Sequence, residues 1–204
     1  MWSPYFFFIL KGITMILTPL TPLDAVNEIL SAIGEAPVDT IEDSGNIDVN
    51  NAYRILKSVN RQVQIDGYTF NTISSYPLIP DRFTKEIAWD STLLRVSTTE
   101  GNFLRNRGGL VYDVTNNTDK FDGQIEVEAI VLVPFEELPE AFREYITIKS
   151  ARLFATRYLG DELAMNALMQ EEQIAKIAVF NYELDLEKPS MANNTDISND
   201  LKRT

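Results

Sequence analysis

Leu23-Asp24-Ala25-Val26-Asn27-Glu28-Ile29-Leu30-Ser31-Ala32-Ile33-Gly34-Glu35-Ala36-Pro37-Val38 reads as one capped helix with an abrupt exit. Thr21 stands where a side-chain oxygen can accept from the first unpaired amides. Pro22 fits the first turn, since its ring already holds a helical φ and its missing N–H would have no partner there, and Asp24 is placed to answer the cap reciprocally. Val26, Ile29, Leu30 and Ile33 recur at spacings of three and four and so share one face. Gly34 can take the positive φ that closes a helix, and Pro37 keeps Ala36 extended so that the helix does not resume. A helix with one apolar face has to bury it, so its partners must lie further along the chain.

Asn46 or Asp48 can cap a second helix running to about Gly67, with Val49, Ala52, Tyr53, Leu56, Val59 and Val63 inward. It is expected to pack antiparallel to the first, leaving Arg54, Lys57, Asn60, Arg61 and Gln64 to solvent or to a neighbouring subunit. Tyr68 and Phe70, after the Gly67 stop, are expected in the core. From Thr72 to Phe135 the pattern turns β-rich. Strands are expected at Thr72 to Leu78, Ile87 to Val96, Asn102 to Arg105, Leu110 to Val114 and Ile125 to Val133. Asn106-Arg107-Gly108-Gly109 is a hairpin signal, because glycine reaches positive φ without strain. Pro139 then opens a third helix, with Glu136, Glu137 and Glu140 at its positive end and Phe142, Tyr145, Ile146, Lys149 and Leu153 on one face up to Gly160. Asp161 caps a fourth helix from Glu162 to about Glu187. Its stripe of Ala164, Ala167, Leu168, Ile174, Ala175, Ala178 and Tyr182 permits close approach to another helix, within the subunit or in a neighbouring one. Beyond Pro189 the chain is polar and aperiodic, a tail that cannot bury enough apolar surface to fold alone.

At 204 residues and 45% hydrophobic, the chain can build one sizeable core with a smaller appendage. It contains no cysteine and no histidine, which removes disulfides, thiol nucleophiles, Ser-His-Asp chemistry and His- or thiolate-based zinc sites together. No cofactor or metal is expected. The net charge of -12, from 30 acidic against 18 basic residues, disfavours gripping nucleic acid through its phosphates. Residues 1–20 form an apolar extension that Pro4, Lys11 and Gly12 break well short of the ~20 residues needed to span a membrane. No basic region precedes it and no small-residue cleavage site follows. It reads either as an upstream extension of the reading frame, with Met15 as the older start, or as an apolar arm packing on a neighbouring subunit.

Four segments carry a resemblance. The first is Leu23 to Val38. The second is Asn50 to Asn71, with Asn-Asn-Ala-Tyr-Arg-Ile-Leu, Val-Asn-Arg-Gln-Val-Gln and Gly-Tyr-Thr-Phe-Asn. The third is Asn-Arg-Gly-Gly-Leu-Val-Tyr-Asp from Asn106, and the fourth runs from Pro134 to Gly160 with its acidic loop, Leu-Pro-Glu and aromatic helix. In this order they resemble podovirus tail tubular protein A, the head-to-tail adaptor of short-tailed phages, over about two-thirds of the chain. The resemblance implies an α+β fold: an antiparallel four-helix bundle (residues 21–71 and 138–187), an inserted antiparallel β-rich domain (72–137) and a polar tail (188–204).

It also implies a structural virion protein of the short tail, assembled in the host cytoplasm. A homo-oligomeric ring of twelve subunits would join the portal protein to the tail nozzle protein and support tail fibres. Viral DNA would pass through the bore without sequence-specific binding, repelled by an acidic wall whose field is screened beyond roughly 8 Å. Candidate partner-interface residues are Asn106, Arg107 and Gly108 at the hairpin, where Arg107 either touches a fibre or nozzle protein or is a solvated turn residue. In the tail they are Ile197, Leu201, Lys202 and Arg203. A connector of long-tailed phages fits less well, because those are helical bundles without a sizeable β domain. The rival class is a glycan hydrolase using two carboxylates from among Asp113, Asp119, Asp122, Glu136 and Glu137. Against it, the aspartates lie in or beside turns and the glutamates favour a helix start.

Overall fold

A computed structural model describes residues 19–42, 45–98, 103–158 and 162–192, the last of these with side chains over 165–186. Helix α1 (Pro22–Ser31) begins as the sequence predicts. Asp24 N donates to Thr21 Oγ1 at 3.2 Å, and Thr21 N donates to the Asp24 carboxylate at 3.0 Å. The Thr21 hydroxyl and amide together hold the Asp24 carboxyl below its ordinary value of 3.8. Its stabilising effect is therefore present above pH 3.8 and is lost as pH falls through the depressed folded value. Replacing Thr21→Val is expected to cost about 1 kcal/mol and to raise the Asp24 pKa toward the usual carboxylate range in an NMR titration, the backbone amide keeping part of the depression. An unmoved titration would contradict the assignment. At the other end Gly34 takes φ +81 and Glu35 N donates to Leu30 O at 3.1 Å. Asn27 then holds the exit segment against the helix, exchanging bonds of 2.8 and 3.1 Å with the Val38 backbone.

Helix α2 (Ile47–Gln64) is capped by Asn46, whose Oδ1 accepts from Asp48 N at 2.8 Å. It ends before Gly67, which turns the chain at φ +85. Val49, Ala52, Leu56, Val59 and Val63 are buried as expected, joined by Ile55. Asn60 and Gln64, expected outside, are also buried. The cause is the chain at Val133, which passes over this end of the helix. Gln64 Oε1 accepts from Val133 N at 2.8 Å, and its Nε2 donates to Val133 O at 2.9 Å and to Asn60 Oδ1 at 2.7 Å.

Between α2 and the third helix lie five strands: β1 (Thr72–Leu78), β2 (Leu93–Ser97), β3 (Leu104–Arg107), β4 (Leu110–Asp113) and β5 (Ile125–Val131). They form two antiparallel sheets, one ordered β1-β5-β2 and the other the β3-β4 hairpin. Pro77 is tolerated because β1 is an edge strand, where no second neighbour needs its missing N–H. The expected strand Ile87 to Val96 divides in two. Asp90 accepts from Thr92 N at 2.7 Å and from Leu93 N, through its backbone oxygen, at 3.0 Å, making a turn in mid-run. The part before that turn pairs with the hairpin, through Val111 N to Ile87 O and Trp89 N to Gly109 O, both at 2.8 Å. The part after it pairs with β5 as β2. This division joins the two sheets around a core of Leu78, Ile87, Leu93, Val96, Leu104, Val111, Phe121, Val127 and Ala129.

A 3-10 turn (Phe135–Glu137) leads into α3 (Glu140–Tyr158), followed by α4 (Glu162–Ala192). The arrangement is α+β, with the β region inserted between α2 and α3 in the chain. Helices α1, α2 and α3 each pack on the other two, whereas α4 packs chiefly on α3 rather than completing an evenly packed four-helix bundle. Phe142, fully buried, makes edge contacts with Tyr68 and Phe70 at centroid distances of 4.6 and 4.7 Å and with Tyr182 at 6.0 Å. The core reading of Tyr68 and Phe70 therefore holds. Burial, with smaller contributions from Asp66, Tyr145 and Glu183, pushes the Tyr68 hydroxyl up to about 12, so it stays neutral at physiological pH. Helix α4 runs past Pro189 to Ala192, beyond the end expected at Glu187. The apolar extension over residues 1–18 and the tail from 193 lie outside the described residues.

Candidate interaction surfaces

The β3-β4 hairpin turns on Gly108 and Gly109, at φ +63 and +84, with Arg107 paired to Leu110 across a two-residue loop. Two successive positive φ values make this a type I′ turn, whose twist matches that of the strands. Asn106 and Arg107 accordingly belong to β3 and not to the turn, one step from where they were expected. Asn106 is committed locally, its Oδ1 accepting from Gly109 N at 3.0 Å. Arg107 lies with its guanidinium 4.5 Å from the centre of the Tyr112 ring, and Arg105, two residues back on the same face, lies at 5.7 Å. Tyr112 is itself buried and its hydroxyl donates to Asn117. Arg107 is thus exposed but stacked, a cation held over an aromatic face. Gly108 serves the turn. The other candidate interface residues, Ile197, Leu201, Lys202 and Arg203, lie outside the described residues.

The carboxylates considered for hydrolysis are engaged in structure or exposed. Burial pushes the Asp113 carboxyl up, but the Asn116 amide at 3.0 Å and the Asn116 side chain at 2.8 Å outweigh it, so its pKa is lowered overall. Asp113 closes the turn after β4. Asp119 lies 3.9 Å from Lys120, which also pairs with Glu86. Asp122 is exposed, and Glu136 and Glu137 occupy the 3-10 turn that precedes α3. Among the described residues no group of three acidic side chains is placed to hold a metal ion, and no helix is long and apolar enough to cross a membrane.

Helix α4 presents a surface of a different kind. Leu168, Glu172, Ala175, Val179 and Tyr182, spaced three and four apart, turn toward the core, and Glu172 pairs with Arg152 of α3. The expected stripe is divided: Leu168, Ala175 and Tyr182 turn inward, Ala167, Ile174 and Ala178 are exposed in the single subunit, and Ala164 has no described side chain. On the opposite side Met169, Ile177, Phe180 and Leu184 form a second apolar row, exposed by 51, 59, 62 and 39%. These side chains face away from the core, on the side of α4 that α3 does not cover.

A family model of tail tubular proteins matches residues 23–189, through both the helical and the β regions. The chain belongs to the tail tubular protein family. It is also similar to Tail tubular protein A of Klebsiella phage KP34, with 25% identity over 153 residues, 74% of this chain and 81% of that protein. Tail tubular proteins are structural components of the virion and not enzymes, so the hydrolase reading of the carboxylates is set aside. This tail tubular protein is a bacteriophage tail component that assembles with other virion proteins. Glycine pairs and an apolar helix were visible in the sequence. The second face of α4 was hidden because apolar residues on both faces blur any single periodicity.

Proposed function

We propose that the chain is an adaptor subunit that forms a ring, joins the portal protein to the tail nozzle protein, supports tail fibres and leaves a conduit for DNA during ejection. The observation that carries this reading is the outer row of α4, which gives a folded subunit an unsatisfied apolar face for another virion subunit. The net charge of -12 supports a bore along which DNA slides without being held. The likeness to the family supports a ring of twelve and assembly in the host cytoplasm as part of this reading. Association is templated by the portal: a subunit whose lateral contacts are weak alone gains order by mass action once it is seated.

Replacing Ile177→Asp together with Phe180→Asp tests the carrying observation. Both side chains are exposed, so thermal stability is expected to change by less than about 0.5 kcal/mol. Binding to purified portal rings, measured by co-sedimentation, is expected to fall at least tenfold. Undiminished binding by the doubly substituted chain would remove the row from the account.

A further inference from the structure

Helices α1 and α4 both pack on α3 without packing closely on each other, and a groove of about 480 Å³ runs between them along α3. The α3 residues that line it, from Glu140 through Glu144 and Ile148 to Ala151, follow one another as a single helical stripe. Its interior is mostly apolar. Ala151 is buried, and Ala32 of α1, Ile148 of α3 and Leu168 of α4 are half-buried, whereas the glutamates at its rim are exposed. Apolar surface of this kind between three helices of one subunit is left uncovered by the described residues.

The chain itself carries a segment to the mouth of this groove. Leu20 lines one end and is fastened there, its N–H donating to Glu140 Oε1 at 3.1 Å and its C=O accepting from the Arg143 guanidinium at 3.1 Å. Everything upstream of Pro19 therefore sets out from that point. Proline disfavours a helical conformation in the residue before it, which favours an extended approach. Helix α3 rises about 17 Å between Glu140 and Ala151, and five residues of extended chain cover about the same length. The five residues before Leu20 are Met15-Ile16-Leu17-Thr18-Pro19, so the length of the groove matches the reach of its own chain back to Met15, with three apolar side chains in succession.

We propose that Met15, Ile16 and Leu17 lie in the groove of their own subunit, as a strap between α1 and α4. The short tether to Leu20 gives this segment a high local concentration at the groove, which the same segment of another copy lacks. Lys11, the only basic residue among residues 1–18, then follows beyond the far end, close to the rim carboxylates. The strap ties α4, which packs chiefly on α3, to α1. It also closes this apolar surface within the subunit, leaving the outer row of α4 as the face open to other virion proteins. It concerns the free subunit and is independent of the adaptor reading.

Cross-linking tests it, and the absence of cysteine from the chain removes any background. Thr14→Cys is paired with Glu171→Cys at the exposed rim of the groove, or with Lys57→Cys, exposed on α2, which contributes nothing to the lining. With a short bis-maleimide and the dilute full-length chain, the first pair should cross-link within one chain at least tenfold faster than the second. Adding Met15→Asp, Ile16→Asp and Leu17→Asp to the first pair should bring it down to the rate of the second, with circular dichroism confirming the fold. If those substitutions disturb folding, the comparison of the two pairs decides alone. Equal rates for the two pairs would overturn the proposal, as would a rate in a folded chain that the three aspartates leave unchanged. Cross-links formed only between copies would overturn it too, by placing the segment on a neighbouring subunit.

Discussion

Phe142→Ala is expected to lower the free energy of unfolding by about 4 kcal/mol, the range for emptying a fully buried phenylalanine site. Phe142 has no exposed surface and is the ring on which Tyr68, Phe70 and Tyr182 converge from the post-α2 loop and α4. Those partners belong to two separate parts of the chain and cannot all collapse onto the vacancy, so the cavity term should persist. The loop is also tied to α4 directly, because Glu183 accepts from Thr69 N at 2.9 Å and from the Thr69 hydroxyl at 2.8 Å. Losing the ring should therefore loosen α4 before it loosens α1. Urea denaturation gives the first quantity and amide exchange along α4 the second. A loss below about 1 kcal/mol would mean that the aromatic cluster is peripheral to stability.

Gln64→Leu is expected to cost about 3 kcal/mol, although the residue gains an apolar side chain in a buried position. The substitution strands Val133 N–H, Val133 C=O and the Asn60 side chain, each previously paired with Gln64. Unpaired buried groups of this kind cost roughly 1–3 kcal/mol apiece, less what solvent or relaxation recovers. The damage should spread to Asn71. Its Nδ2 donates to Gln64 O at 2.9 Å and to Val131 O at 3.0 Å, and its Oδ1 accepts from Tyr68 N at 2.8 Å. Gln64 and Asn71 thus fasten the end of α2 to the chain leaving β5, and through it fasten the helical region to the sheet. Gly67 lies in the same corner. A Cβ there would meet Ile130 Cδ1 at 2.5 Å, at a φ already unfavourable to other residues. Faster amide exchange at Val133 in the Gln64→Leu chain, with the middle of α1 unaffected, would match this account. Stability within about 0.5 kcal/mol of the parent would contradict it.

These two sites also show what a sequence can and cannot disclose. Phe142 could be found, since it falls on the apolar face of a helix whose proline and glutamates mark its start. The first helix was readable for a similar reason: Thr21, Pro22, Asp24 and Gly34 act on backbone groups within a few residues of themselves. Strand β1 and the glycine pair of the hairpin likewise depend on local chemistry. Gln64 could not be found. An amide at a polar helical position looks solvated, and its partner, the backbone of Val133, is remote in the chain and any residue could supply it. The break at Asp90 was lost because an Asx-type turn inside a β-rich run leaves the alternation on either side intact. Arg107 shifted from loop to strand because the glycines alone satisfy the turn.

The adaptor reading stands or falls on whether the chain builds a layer on the portal. The direct measurement is electron-microscope class averaging of the purified chain mixed with portal rings of the same virus. An added ring-shaped layer on one portal face, absent from portals incubated with the Ile177→Asp, Phe180→Asp chain, is the predicted result. Portals left bare by the unsubstituted chain at saturating concentration would contradict it.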